Sequence, residues 1–263
     1  MILSYIVEDI LIVMKVNKLS NATFNLKNVF FNTKLLALAD DYLNRPIPHI
    51  TDHFSLRSQG GPHDYYSEAD YWWPNPNTED GLPYIKRDGE TNPGNFDYHR
   101  YALRDMKEYV LTLTLAYLHT SNRVYAERSI QILHEFFVSE TTRMNPHLSF
   151  AQAICGVSSG RGIGIIDTIH LVEVPYAVER LHAVGLLSLE DYHELRSWFK
   201  AYLDWLLSSS KGKEESQTKN NHAVCYYMQV AAFAKLLNDK EVLEEVKTIY
   251  ISRLLEQMNF KGQ

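Results

Sequence analysis

Cysteine is almost missing from this chain: Cys155 and Cys225 are the whole complement in 263 residues. The two thiols lie far apart in sequence, and neither has a second ligand at metal-binding spacing. A disulfide framework and a zinc module are therefore excluded, and both residues read as small core side chains. Glycine and proline are also sparse, 12 and 9, which removes collagenous and low-complexity architectures. No apolar run reaches the roughly 18 to 20 residues that a membrane-spanning helix needs. The apolar N-terminus carries Glu8 and Asp9 where an export signal has a basic start, and no small-residue cleavage site follows; no clear signal peptide is read there. Cationic side chains are in the minority, 26 Lys and Arg against 32 Asp and Glu, for a net charge of -6. That balance argues against nucleic acid as the principal partner, because phosphate binding needs a basic surface across the whole footprint. It leaves acidic ligands open, since a cleft can be locally positive on a mildly acidic protein.

Aromatic residues are what the chain has in quantity, with 17 Tyr, 11 Phe and 4 Trp. Many of them fall between residues 45 and 98, a stretch rich in Pro, Gly, Asn and Asp that shows neither a helical nor a strand period. Loops of that length are usually functional or disordered, and the aromatic content speaks against disorder. Before it, Leu35, Leu36, Leu38, Ala39 and Tyr42 predict a helix over Thr33–Leu43, stopped by Asn44, Pro46 and Pro48. After it, apolar residues at i, i+3, i+4 and i+7 predict six helices: His99–Thr120, Val124–Ser139, Ile165–Val184, Leu189–Ser208, Asn221–Leu237 and Lys240–Met258. Ser188 ahead of Glu190 and Asp191 marks a helix start, and Asn238 with Asp239 marks a turn between the last two helices. Short turns make successive helices antiparallel, so the expected fold is all-α, built of helical hairpins. Periodicity leaves open a bundle, a solenoid or a closed (α/α) toroid, and no fixed-length repeat favours the solenoid. The expected organisation is an N-terminal extension over 1–32 and one domain over 33–263.

Three segments carry candidate chemistry. The first runs from Arg57 through Tyr71, Trp72 and Trp73 to Arg87, His99 and Arg100. Its flat rings with polar edges suit sugar faces, and the competing reading is that they anchor the loop on the helices. The second is Lys219-Asn-Asn-His222, directly before an apolar helix that contains Tyr226 and Tyr227. Asn220 or Asn221 serves there as an N-cap, and a helix start with a neighbouring imidazole also holds anions. The third surrounds Arg161 and continues to Asp167, His170 and Glu173. No strand precedes its glycines and no Lys-Ser/Thr ends them, so a phosphate loop is a weak match. Residues three apart share a helix face, but one His with two carboxylates is a poor metal set; a satisfied buried polar cluster is the competing reading.

Ser-Gln-Gly-Gly-Pro-His-Asp-Tyr-Tyr-Ser-Glu-Ala-Asp-Tyr-Trp-Trp-Pro (58–74), Asn-Pro-Gly-Asn-Phe (92–96), Gly-Ile-Ile-Asp-Thr-Ile-His-Leu (164–171) and Asn-Asn-His (220–222) follow one another in that order. Together they resemble the alginate lyase family of (α/α)-toroid polysaccharide lyases, from about residue 35 to the end, and are most similar to the branch that includes glucuronan lyases. The resemblance implies a toroid and β-elimination on an acidic polysaccharide, a β-1,4-linked uronan such as alginate or glucuronan. It implies no metal or organic cofactor, and a periplasmic or secreted location. It places Asn221 and His222 on the substrate carboxylate; Arg57, Tyr71, Trp72, Trp73, Arg87, His99, Arg100, Arg161, His170 and Asn220, from the three segments above, are the expected substrate-binding residues. Members of the family usually continue beyond the last helix and carry a proton-transferring Arg and Tyr there, so the toroid is expected to be incomplete, with Tyr226 as the nearest substitute. Two alternatives remain: a uronan-binding relative without turnover, and a toroid glycoside hydrolase, which needs two carboxyl groups flanking the bond. The sequence carries no sign of oligomeric state.

Overall fold

A computed structural model describes residues 21–257, with side chains over 33–253. Eight α-helices lie among these residues: α1 (Asn21–Asn44), α2 (Tyr98–Thr120), α3 (Arg123–Phe137), α4 (Val174–Ala183), α5 (Leu189–Ser208), α6 (Ser210–Ser216), α7 (Asn221–Leu237) and α8 (Lys240–Gln257). The first helix begins at Asn21, ahead of the predicted Thr33, and so crosses the expected boundary at 32. Residues 1–20 and the predicted helix end at Met258 lie outside the described residues.

The hairpins arise from turn chemistry. Ser121 at φ 60° closes α2, and the Asn122 side chain caps α3 by accepting the Val124 N–H. Asn238 at φ 58° closes α7, and the Asp239 carboxylate accepts the Val242 N–H at 3.1 Å in the first turn of α8. A left-handed residue followed at once by a cap reverses the chain within two residues, which forces antiparallel neighbours. Ser188 caps α5 as expected, accepting the Asp191 N–H at 3.0 Å. The result is an all-α architecture, an (α/α) toroid of antiparallel hairpins carrying a long aromatic-rich loop.

The core follows the helical stripes. Leu103, Met106, Val110 and Leu113 of α2 are fully buried against Ile132, Leu133 and Phe136 of α3. Phe137, Trp198, Phe199, Tyr202 and Phe233 continue the core as a chain of ring contacts at 4.6 to 5.6 Å. Each such side chain stabilises the fold by roughly 1.5–3 kcal/mol through removal from water, so part of the aromatic load is structural.

One predicted helix divides. Residues Gly162–Glu173 form a 3-10 segment and only Val174–Ala183 is α-helical. Pro175 stands in the first turn of α4, where its missing N–H is harmless; it disfavours continuous α geometry from the preceding residues. Gly164 lies so close to the short strand β4 (Phe150–Ala153) that a Cβ would stand 2.5 Å from the Ala151 Cβ. The 3-10 segment packs against α2, α4, α6, α7 and β4 and thus occupies the centre of the hairpin array.

Candidate active site

Two short ribbons order the aromatic loop. Strand β1 (Tyr66–Glu68) pairs in parallel with β4 (Phe150–Ala153), and β2 (Trp72–Trp73) pairs antiparallel with β3 (Ile85–Lys86). Alternation along β1 sends successive side chains to opposite sides. Tyr65 and Ser67 donate to Asp167 at 3.3 and 2.5 Å, while Tyr66 and Glu68 face Arg57 and Cys155. Glu68 accepts two bonds from Arg57, at 2.6 and 2.8 Å, one from the Tyr66 hydroxyl and one from the Phe96 N–H. Burial raises its pKa, but these hydrogen bonds outweigh burial and hold the carboxyl below its ordinary range. Arg57 is therefore a brace of the loop, fixed also to the Gly94 carbonyl at 3.0 Å. His99 is a strut of the same kind: at 1% exposure it accepts the Tyr66 N–H and donates to the His53 carbonyl. Burial lowers its pKa, so the ring is neutral.

A ladder of charges joins α2 to the 3-10 segment. Arg100, Arg104 and Lys107 recur at helical spacing and face Asp167, His170 and Glu173, which recur every three residues. The outer rungs are ion pairs, Arg100 to Asp167 at 3.9 Å and Lys107 to Glu173 at 3.1 Å. The middle rung is different, because Arg104 Nε donates to the neutral His170 Nε2 at 3.2 Å. No carboxylate lies within ion-pairing distance of Arg104 among the described residues, and its side chain is exposed. Burial, then the nearby Arg104 and Lys107 charges, push the His170 pKa down to about 4. A local positive potential is thus built into an acidic protein. Beside this rung a cavity of about 190 Å³ is lined by Asp70, Asn92, Asn95, Arg100, Tyr101 and Arg104. Arg100 bonds Asp70 at 2.8 Å on its rim, and the buried Arg100 Nε has no hydrogen-bond partner among the described residues.

Gln152 ties this ladder to Arg161. Its backbone is left-handed, φ 53°, a conformation that costs a non-glycine residue roughly 1–2 kcal/mol and is found where surrounding contacts over-determine it. Here the Gln152 N–H donates to Ser67 at 2.9 Å and its amide to Asp167 at 3.3 Å, while its carbonyl and amide oxygens accept from Arg161 at 2.9 and 3.3 Å. Burial lowers the Arg161 pKa, and Glu214, Asp167 and Asp70 oppose that. Arg161 accordingly lies in the fields of both the α6 end and the Arg100 rung.

At the start of α7, Asn220 is the cap, accepting the His222 N–H at 3.1 Å, and Asn221 opens the helix exposed to solvent. His222 Nδ1 lies 2.8 Å from Glu215 Oε1 of α6. The free amide of Asn221, the imidazole and the positive helix end together suit a carboxylate. Tyr226 does not join them. Its ring is 3% exposed and its hydroxyl donates to the carbonyl of Leu206, in the last turn of α5, at 3.0 Å. Burial raises its pKa, which further disfavours proton exchange.

Along the aromatic ribbon, Trp73 Nε1 donates to the Glu90 carbonyl at 2.8 Å, and the Arg87 guanidinium stacks 4.8 Å above its ring. Trp72 is half-buried, and its carbonyl accepts from Asn92. Tyr71 remains 42% exposed. Asp167, His170 and Glu173 do not converge, since each turns to a different partner. Among the described residues no His, Cys, Asp or Glu group is arranged to hold a metal ion. Sequence reasoning passed over Arg104 as a site residue, and Gln152 and Glu215 altogether. The only sequence signal for the ladder is the matched spacing of cations on α2 and polar residues on 162–173.

The family model for alginate lyase matches residues 49–263. Among solved structures, the chain is similar to an alginate lyase from Bacteroides ovatus, at 32% identity and a TM-score of 0.80, over 88% of this chain. It spans 62% of that protein's length. No curated protein matches the sequence.

Proposed function

The chain belongs to the alginate lyase family, and from that premise we propose that it is a polysaccharide lyase cleaving a β-1,4-linked uronan, alginate or glucuronan, by β-elimination. The observation that carries the reading is the Asn221–His222 pair at an exposed helix start, supported by the Arg104–His170 rung, which has no carboxylate partner among the described residues. Both are sites for carboxylates, and a uronan presents one on every sugar.

The chemistry requires such sites. The C5–H bond breaks and its proton passes to a base, the electrons form the C4–C5 double bond, and the C4–O bond breaks with a proton delivered to the leaving oxygen. Negative charge grows on the C6 carboxylate as the C5 proton departs. In this reading Asn221, His222 and the α7 terminus stabilise that growing charge. Arg104, Arg100 and Arg161 hold neighbouring sugars by their carboxylates, and Tyr71 offers a ring face. The scheme draws its charge stabilisation from side chains and a helix end, without a metal. A hydrolase instead needs two available carboxyl groups, and Glu68, Asp167 and Glu215 are buried and hydrogen-bonded.

One observation favours a second reading, in which the chain retains uronan without turnover: the Tyr226 hydroxyl is held by Leu206. Ultraviolet absorbance of the new double bond separates the two. Purified protein given polymannuronate, polyguluronate and glucuronan develops absorbance on at least one, and His222→Ala lowers kcat more than it raises KM. Binding without absorbance on all three refutes the lyase reading in favour of retention.

A further inference from the structure

Glu215 sits in an unusual place for a carboxylate: 1% exposed, on a seven-residue helix between two long ones. Its position is strongly determined. Gly212 lies where a Cβ would come within 1.8 Å of the Leu206 carbonyl oxygen, so α6 is pressed against the end of α5 at a point only glycine fits. Ser209 caps α6 by accepting the Gly212 N–H at 3.0 Å. After the helix, the Thr218 N–H and hydroxyl both donate to the Glu215 carbonyl, and Arg253 of α8 donates to the Ser216 and Thr218 carbonyls at 2.7 and 2.8 Å. Every one of these contacts fixes the backbone that carries a single buried acid, and that acid meets His222.

We propose that Glu215 is a positioning residue for His222: it accepts the Nδ1–H, fixes the ring plane and tautomer, and leaves Nε2 as the nitrogen presented to a uronate carboxylate. The step rests on the lyase reading for its purpose but on geometry for its content. Burial raises the Glu215 pKa and the His222 hydrogen bond and charge oppose that; while ionised the carboxyl only accepts hydrogen bonds, and the 2.8 Å contact to Nδ1 then places the proton on that nitrogen. With Nδ1 held by Glu215, Nε2 is the ring nitrogen left to meet a substrate carboxylate, and it donates there when it carries a proton. Asn220, whose side chain accepts the His222 N–H, fixes the backbone of the same residue. His222 is thus held at its ring by Glu215 and at its backbone by Asn220 before substrate arrives.

The test uses the full chain with Glu215→Gln, which keeps the volume and removes the charge, and Glu215→Asp, which keeps the charge. Nitrogen-15 spectra of the imidazoles, assigned with His222→Gln, show His222 protonated at Nδ1 in the wild type, and oligouronate shifts the Nε2 resonance. Glu215→Gln loses the single tautomer and lowers kcat on the order of 100-fold, the scale of losing one group that stabilises developing charge, with KM changed far less, whereas Glu215→Asp recovers part of both. A wild-type Nδ1–H state that survives unchanged in Glu215→Gln overturns the proposal. Absence of turnover in the wild type sinks the lyase reading alone, because the imidazole spectra and the oligouronate shift still decide the role of Glu215.

Discussion

Acidification is expected to weaken this protein through His170 in particular. Its folded-state pKa of about 4 lies below the 6.5 of a free imidazole. Above pH 6.5 both states are neutral at this group, and it contributes nothing to pH dependence. As pH falls from 6.5 toward 4 the unfolded chain takes up a proton that the folded chain refuses, so stability declines; below 4 the loss is complete. The full shift corresponds to about 3 kcal/mol, and the half-buried position reduces this to roughly 1–2 kcal/mol by solvent screening. Glutamine at 170 accepts the same Arg104 hydrogen bond and does not titrate. Urea unfolding followed by tryptophan fluorescence at about pH 7 and about pH 4.5 therefore shows the wild type losing roughly 1–2 kcal/mol more than His170→Gln. The double difference cancels Asp167, Glu68 and every other group common to both proteins. Equal losses in the two proteins refute the reasoning, and with it the positive field assigned to the middle rung.

Two further outcomes separate ligand contacts from supports. Arg104→Gln removes the uncompensated cation and weakens oligouronate binding by about 10- to 100-fold, the equivalent of one charge-assisted hydrogen bond; calorimetry at low and high salt checks it, and a salt-independent affinity in the wild type contradicts the assignment. Trp73→Ala costs about 2 kcal/mol of stability because it strips an N–H bond, a stacked Arg87 and partly buried ring area, whereas Tyr71→Ala leaves stability within about 0.5 kcal/mol and lowers uronan affinity. Thermal melting alongside binding distinguishes them, and a Trp73→Ala protein that melts like the wild type removes the loop-anchor role.

The sequence by itself determined the features that depend on neighbours along the chain. Ser188, Asn238 and Asp239 act where they stand, so the caps and turns were legible. The apolar stripes of α2, α3, α5 and α7 were legible for the same reason, as was the cap at Asn220. Helix α6 was not, because Ser210–Ser216 has no apolar stripe and exists by packing Gly212 against Leu206. The β1–β4 ribbon was not, because parallel partners some eighty residues apart leave no periodic trace in either three- or four-residue strand. The polar site divides in the same way. Arg57 and His99 carry the chemistry of ligand-binding groups, yet the fold turns one onto Glu68 and the other between Tyr66 and His53. Tyr226 has a phenol at the right distance in sequence, and the pitch of the helix points it at Leu206. A titratable group acquires its role from the charge and burial around it, and those are fixed by segments remote in sequence. Tertiary structure alone therefore decided that Arg104 stands opposite a histidine rather than an acid, and that His222 rests on a buried glutamate.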